Sequence, residues 1–343
     1  MNIVIAGGGL VGLTTAALLR PAGHDVTVLE QAPEIRAAGA GIGLWENALR
    51  VLDRIGDVRA LGEEIELWFY DPAGRRVRAA DDRFLLVPRP ELNALLAAAV
   101  GPERIRLGAR VAGFGDGVVR LAGGDTVEAD LLIGADGVYS QVRAQMLPDS
   151  AARPHDGHYA WRAVVESDLR SGTVLTVGRD RTRGGYHRVG PGRVMWMVNQ
   201  FDAGPLTGRK RDRALVRARN LAGDGWHQEL LDMIEGTPEE LILENQIMVV
   251  PPLPRWTGDG VALIGDAAHG LSPHISAGGT LGIEDADALR AALEKNDLAG
   301  YEQARMARFR RVREFAAAVE TAASPAQYAE RYAAFTRWML ATV

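Results

Sequence analysis

The sequence predicts an α/β chain. A Rossmann-like unit opens it, an antiparallel β-rich segment is inserted, and helices close it. Three observations carry this. Residues 2–30, NIVIAGGGLVGLTTAALLRPAGHDVTVLE, read as strand, glycine turn, helix, strand and acid. Residues 155–202 change to short strands parted by Gly, Pro and Asp, the pattern of an antiparallel sheet with one wet face. Residues 261–269, VALIGDAAH, return to a buried strand and a glycine turn, and the chain is helical beyond Leu298.

In the opening stretch Gly7, Gly9 and Gly12 fit G-x-G-x-x-G. The first glycine permits the tight turn. The second lets the backbone approach a pyrophosphate, and the third lets helix and strand pack closely. The helix N-terminus offers unpaired N–H groups to that pyrophosphate. Gly23 stops the helix. Glu30, 18 positions after Gly12, stands where an acid accepts the ribose hydroxyls and repels a 2′-phosphate. The stretch therefore predicts a dinucleotide site other than one for NADP. By itself it leaves FAD and NAD open.

Composition narrows the classes. The chain has 343 residues, 47% hydrophobic and 24% charged, enough for one large domain or two. Net charge is −5, and the only lysines are Lys210 and Lys295. Neither a nucleic-acid footprint nor a polybasic membrane patch is present. With no cysteine, disulfides, thiolate nucleophiles and cysteine metal sites are excluded. The uncharged run from Ile3 to Leu19 lacks a basic leader and carries the fingerprint, so it reads as folded βαβ rather than signal peptide. The expected location is cytoplasmic.

In order, Ala37 to Gly43 form a small-residue loop. Gly39, Gly41 and Gly43 suit close approach by something flat, and a helix follows with Leu44, Ala48, Leu49, Leu52 and Ile55 on its apolar stripe. Residues 65–88 hold two strands joined at Asp71 to Gly74, then a third run ending in Pro88. Arg89 opens a helix over 90–100. Residues 104–133 read as β structure with hairpin turns at Asp116-Gly117 and Gly123-Gly124. A buried strand, Leu131 to Ile133, leads into Gly134-Ala135-Asp136-Gly137. Residues 212–235 read as one amphipathic helical stretch, and 245–254 run extended into prolines. The tail breaks at Ser324-Pro325 before a last helix.

Three ordered motifs now stand together: G-x-G-x-x-G with Glu30, GADGVYSQVR over 134–143, and LIGDAAHGLSP over 263–273. With AGAGIGLWENALRVLDRIG, WRAVV and YEQARMAR, the chain resembles the FAD-dependent class A aromatic hydroxylases of the para-hydroxybenzoate hydroxylase fold. It looks like the salicylate hydroxylase and zeaxanthin epoxidase types. The resemblance spans nearly the full length. It implies an FAD-binding domain over 1–64, 89–150 and 255–325, a β-rich substrate domain over 65–88 and 151–254, and a C-terminal helix over 326–343.

The resemblance also implies roles. Gly9, Val11, Gly12 and Gly41 would line the FAD site, and Glu30 would hold the adenosine ribose. Arg89 would reach the pyrophosphate or ribityl chain, and the backbone of Val111 the adenine. Asp136 would lie by the pyrophosphate and Asp266 by the ribityl hydroxyls. Gly278 and Gly279 would flank the isoalloxazine ring. The family usually reads x-x-Gly-Gln-Gly-x-Asn after the proline. Here Ser276, Ala277 and Thr280 stand at its first glycine, glutamine and asparagine. Side-chain contacts at those positions are therefore lost, while backbone contacts can persist.

The implied reaction is monooxygenation of an aromatic or other electron-rich small molecule. NADH or NADPH is the transient reductant, O₂ the oxidant, and a flavin C4a-hydroperoxide the oxygen donor. No metal is implied, and the chain would be a monomer or homodimer. Pocket candidates are Trp45, Arg162, His187, Trp196, Pro273 and His274, with Trp161, Tyr186, Met197 and Asn199 beside them. Strand alternation lets only about half of them face the pocket. The plainer reading of Trp161 and Trp196 is core. The plainer reading of His187 is an exposed strand histidine, and that of Arg162 includes a surface ion pair. His269 reads as structural, bonded to backbone, and no catalytic residue is assigned. A flavin halogenase is rejected, because no lysine precedes Lys210 and no Trp-x-Trp-x-x-Pro stretch exists. A dehydrogenase of the same fold without oxygen insertion, or an inactive FAD-binding relative, is the alternative.

Overall fold

The computed structural model describes residues 1–35, 41–169, 173–178, 180–201, 204, 206–223 and 225–341. The expectation for Gly39 and its neighbours Ala37, Ala38 and Ala40 lies outside the described residues. In chain order the elements begin with β1 (Asn2–Ala6), α1 (Leu10–Leu19), β2 (Asp25–Leu29), β3 (Gly41–Leu44) and α2 (Glu46–Leu52). β4 (Glu63–Tyr70), β5 (Arg76–Pro88), α3 (Arg89–Val100), β6 (Ile105–Arg106), β7 (Val111–Gly115), β8 (Val118–Leu121) and β9 (Thr126–Glu128) follow. Next come β10 (Leu131–Gly134), α4 (Gln141–Met146), β11 (Arg153–Glu166), β12 (Thr173–Val177), β13 (Arg183–Gly190) and β14 (Arg193–Gln200). The rest are α5 (Lys210–Ala218), α6 (Gln228–Gly236), β15 (Leu243–Val249), β16 (Thr257–Gly258), β17 (Val261–Leu263), α7 (Asp266–His269), α8 (Gly278–Lys295), α9 (Leu298–Glu320) and α10 (Pro325–Ala341).

The first sheet runs β16-β17-β10-β1-β2-β6, parallel except at its β16 edge. Its central strands are unbroken apolar runs because both faces are covered. α1 is buried all round, apolar on every side, and packs against α3 and α8. The C-terminal ends of β1, β10 and β17 lie side by side, so the glycine fingerprint, Asp136 and Asp266 converge from three distant parts of the sequence. In such sheets ligands bind at the carboxyl ends of the strands.

The second sheet runs β15-β11-β14-β13-β12-β4-β5-β3, antiparallel except between β12 and β4. One face carries Trp161, Tyr186 and Trp196, which pack with α5 and α6 in a separate apolar cluster. The other face sends Leu67, Val177, Val189 and Met195 into the main core. The expected wet face is therefore absent from the middle of this sheet, because each face has its own apolar partner. A third, small sheet is β7-β8-β9.

The helical stretch expected over 212–235 is two helices. Gly225 at φ +81 and His227 at φ +65 turn the chain between α5 and α6, a conformation incompatible with a continuing helix. Pro325 is the first residue of α10, where its missing N–H costs nothing. Among the described residues no helix is long and apolar enough to cross a membrane.

Candidate active site

The fingerprint turn separates two reasons for glycine. A Cβ on Gly12 would sit 2.0 Å from the Gly7 carbonyl oxygen, so close helix–strand packing excludes any side chain. A Cβ on Gly9 would meet nothing within 4 Å. The protein itself gives no cause for glycine there, whereas a phosphate approaching the α1 N-terminus does. No side chain caps α1 and its first turn holds no acid, which leaves its leading N–H groups for an anion.

Glu30 follows β2 directly and faces this turn. Its carboxylate accepts from Gly8 N at 2.7 Å and from Ala32 N at 2.8 Å. Those bonds fix the carboxylate, and its remaining lone pairs can take a diol. The returning chain lies alongside, since Ala109 N donates to the Glu30 carbonyl at 2.8 Å, and Val111 opens β7 two residues on. Val11 packs on the other side of α1. A Cβ on Gly282 would come within 2.4 Å of it, so α8 and α1 touch through that glycine.

Asp136 caps the segment into α4, its Oδ2 accepting from Gln141 N (2.7 Å) and Val142 N (3.2 Å). Its Oδ1 is buried without a partner. Arg143 closes the 134–143 motif, where the sequence gives it no role of its own, and is the tie between motifs. Buried, it donates to the carbonyls of Val138 (2.6 Å), Ser150 (3.0 Å) and Ala267 (3.0 Å). It thereby joins the Asp-Gly turn to the Gly-Asp turn.

At the second turn, Asp285 Oδ2 accepts from Gly265 N at 2.9 Å and meets His269 Nε2 at 2.5 Å, while Oδ1 accepts from Arg305 Nε at 2.6 Å. Burial alone would raise the Asp285 pKa. His269, Arg305 and the hydrogen bonds reverse this and hold it well below the usual carboxylate range. His269 is structural as expected, but its side-chain partner is this carboxylate rather than backbone, and it packs on Trp256 and Phe309. Asp266 is exposed, with no side-chain partner among the described residues. It faces Gly278, whose Cβ would lie 3.8 Å from its Oδ1. A Cβ on Gly279 would strike Ile42 of β3 at 2.7 Å.

The departures after Pro273 have a structural account. Thr280 is fully buried and its Oγ1 accepts from Trp45 N at 3.3 Å. Ala277 is also fully buried. Ser276 takes φ +52, and its carbonyl accepts from Trp45 Nε1 at 3.2 Å. These positions serve the packing of Trp45 rather than an open cleft.

Gly41 pairs with Pro88 next to Arg89, and Arg89 lies close enough to Arg162 to lower its pKa after burial, the larger cause. Arg162 donates to Asn245 Oδ1 at 3.1 Å, and no carboxylate pairs with it among the described residues. The described residues thus hold no surface ion pair for it.

Trp45 is buried against Phe84 (5.2 Å) and Tyr332 (6.3 Å), so it is core and not pocket. Trp196 is core too, its Nε1 donating to Thr237 Oγ1 at 2.9 Å on the α6 side. Trp161 and Tyr186 share that side. His187 is 4% exposed, not an exposed strand histidine, and burial lowers its pKa to about 4. Register places it on the opposite face, with Met195, Met197, Asn199 and Arg162. Pro273 is exposed and His274 half-buried.

Sequence reasoning passed over His158, Arg183 and Ser272. Counting back by twos from Arg162 reaches His158, so strand alternation was an available signal for it.

The geometry brings a glycine turn at a helix N-terminus, an acid and two aspartates to one line of strand ends, the arrangement that suits a dinucleotide. Comparison with known proteins gives the family. Residues 1–316 match the FAD binding domain family. The chain is 32% identical over 314 residues to the aurachin C monooxygenase/isomerase of Stigmatella aurantiaca, covering 85% of this chain and 80% of that one. It is 32% identical over 327 residues to the 6-hydroxynicotinate 3-monooxygenase of Bordetella bronchiseptica, covering 87% and 84%. Klebsiella pneumoniae HpxO, solved with FAD and uric acid, superposes with a TM-score of 0.82 at 24% identity, covering 98% of this chain and 93% of that one. The chain belongs to this family of flavoproteins and is an FAD-dependent monooxygenase.

Proposed function

We propose that this enzyme hydroxylates, or epoxidises, a small oxygenated aromatic or heteroaromatic ring, with NADH or NADPH as reductant and O₂ as oxidant. Residues 1–64, 89–150 and 255–325 hold FAD in this reading, and the β-rich residues 65–88 and 151–254 hold the substrate. Gly9, Val11, Gly12, Glu30, Gly41, Arg89, Val111, Asp136, Asp266, Gly278 and Gly279 form the cofactor site. The observation that carries it is the set of groups lacking protein partners along that line: open space at Gly9, a buried free Oδ1 on Asp136, and a free Asp266 carboxylate.

When bound, flavin supplies the redox and oxygen-transfer chemistry. The chain's own residues do the rest. The α1 N-terminus neutralises phosphate charge, and Glu30 and Asp266 accept hydroxyl hydrogens. Arg162, His187 and Asn199 offer polar contacts on a sheet face that also carries Met195, Met197 and Arg183, which orients a ring and keeps water from the reacting atoms. The relatives named above act on aurachin and on 6-hydroxynicotinate, which favours a nitrogen-containing ring. A monomer or homodimer in the cytoplasm completes the reading.

The test is NAD(P)H and O₂ consumption by the FAD-loaded chain against phenols, indoles, quinolones and hydroxypyridines, with product mass measured under ¹⁸O₂. A substrate will speed reduction and gain one labelled oxygen. Peroxide alone with every compound would sink the proposal.

A further inference from the structure

The last helix, α10, has no part in any role above, yet its side chains reach the loop between Asp266 and Gly278. There a 3₁₀ turn over Pro273–Ile275 closes as Ser276 N donates to the Pro273 carbonyl at 2.9 Å. Such a turn leaves its last carbonyls without backbone partners, and a carbonyl shut off from water needs one. Three consecutive carbonyls each find an aromatic side chain. Tyr328 Oη donates to the His274 carbonyl at 3.1 Å and Tyr332 Oη to the Ile275 carbonyl at 3.4 Å. Trp45 Nε1 donates to the Ser276 carbonyl at 3.2 Å. The two tyrosines stand four residues apart on α10, which puts them on one face of the helix.

The tethers are themselves fixed. Both tyrosines are buried, with ring centroids 6.0 Å apart, and they rest on Phe69 of β4 at 4.9 and 5.2 Å. The Arg183 guanidinium lies 4.4 Å from the Tyr328 ring. Burial raises the pKa of both phenols, so each keeps the hydrogen it donates. The loop is held through its side chains as well. His274 Nε2 donates to the Ala316 carbonyl of α9 at 2.9 Å, since that oxygen can only accept. His274 Nδ1 meets Ser272 Oγ at 2.8 Å, and Ser272 Oγ meets His158 Nδ1 of β11 at 3.1 Å.

These bonds hold a conformation that the residue at its centre resists. Ser276 takes φ +52 and ψ +33, the left-handed region, where a Cβ is unfavourable and glycine is the usual occupant. A residue other than glycine stays there only when its surroundings over-determine it. Ala277 follows, and α8 begins at Gly278, which faces Asp266. The turn at Ser276 thus sets the direction in which α8 starts. Little room is left for error, because a Cβ on Gly279 would already strike Ile42 at 2.7 Å.

We propose that Tyr328 and Tyr332 of the last helix are positioning residues for the flavin. With Trp45 they hold Ser276 in its left-handed turn, and so place the backbone of Gly278 and Gly279 for the cofactor. The helix that closes the chain then belongs to the redox end of the site, at the stretch where Ser276 and Ala277 replace the usual glycine and glutamine. The role rests on the assignment of Gly278 and Gly279 to the flavin.

Two measurements on the full chain test it. The first is FAD affinity by fluorescence titration. Tyr328→Phe and Tyr332→Phe together will weaken FAD binding about tenfold or more, and each alone about threefold. Ser276→Gly alone will change it by less than about threefold, because glycine takes the turn unaided. Added to the double variant, Ser276→Gly will recover most of the loss, although it restores no tether. The visible circular dichroism of bound flavin, which reads the placement of the ring, will change in the double variant and return with the glycine. A double variant with a lowered urea midpoint but native FAD affinity, or one that Ser276→Gly does not rescue, overturns the proposal. The second measurement is amide hydrogen exchange at Ser276 and Leu281 in the FAD-free chain, whose N–H groups bond Pro273 and Ala277. Exchange will quicken about tenfold in the double variant, and unchanged exchange overturns the tether whatever the cofactor does. A native chain that binds no FAD at all would strike the cofactor reading, and this role with it, while exchange still decides the tether.

Discussion

The two glycines of the opening turn carry different loads, and substitution separates them. Gly12→Ala drives a methyl into the Gly7 carbonyl at 2.0 Å, a backbone contact that cannot yield cheaply. A loss of about 3 kcal/mol or more is expected, seen as a lowered urea midpoint in the FAD-free chain. Gly9→Ala meets open space, so that chain will keep its midpoint. Its FAD affinity will fall about tenfold or more in a fluorescence titration, because the methyl occupies the room a phosphate needs. Equal loss of stability in both variants would refute the distinction. At this scale the glycines and Glu30 were legible because their spacing is local. The burial of His187, Trp45 and Thr280 was not, because a strand or loop sequence does not say which sheet face meets which neighbour.

Among elements, the tie between α8, α9 and the Gly-Asp turn is Asp285. It serves Gly265, His269 and Arg305 at once, and none of the three sequence motifs contains it. Asp285→Asn leaves Arg305 with Glu284, at 3.0 Å, as its remaining buried carboxylate and takes the charge away from His269 and Gly265, for a cost of about 3 kcal/mol in urea unfolding. The depressed carboxylate also fixes the acid response. The unfolded aspartate protonates near pH 4 while the folded one stays ionised. Its stabilisation is thus complete above about pH 4 and is lost as pH falls toward the folded value. Below pH 4 the native chain will lose stability faster than Asp285→Asn, and parallel curves would contradict this. The helices at both ends of the tie were readable from periodicity. Their register against each other was not, so the carboxylate's three partners stayed hidden.

For the whole molecule, four histidines, three buried and one half-buried, set the response to mild acid. His158, His187, His227 and His274 all have lowered pKa values, with burial the largest cause in each: about 3, about 4, about 4 and well below normal. The unfolded chain takes up protons from about pH 6.5 downward, while the folded chain does not until lower pH. Stability will therefore fall between about pH 6.5 and pH 4, by roughly 1.4 kcal/mol per pH unit per histidine. Urea midpoints near pH 7 and pH 5 check this, and His187→Leu will shallow the slope. A flat profile would mean these side chains are accessible to protons. FAD acts in the opposite sense. Free cofactor at about 100 times its Kd adds about 2.7 kcal/mol, so the melting temperature will climb with FAD concentration.

By itself the sequence determined the α/β class, the order of most elements and the three motifs of the FAD site. Glycine spacing, apolar runs and a terminal acid are short-range signals that need no partner to be read. Only the tertiary structure decided which polar atoms are left without partners. Arg143, Asp285, His158 and Arg183 owe their environments to residues as far as 137 positions away. A hydrogen-bond direction, such as the one fixed by the Ala316 carbonyl, exists only once the fold has brought its members within reach.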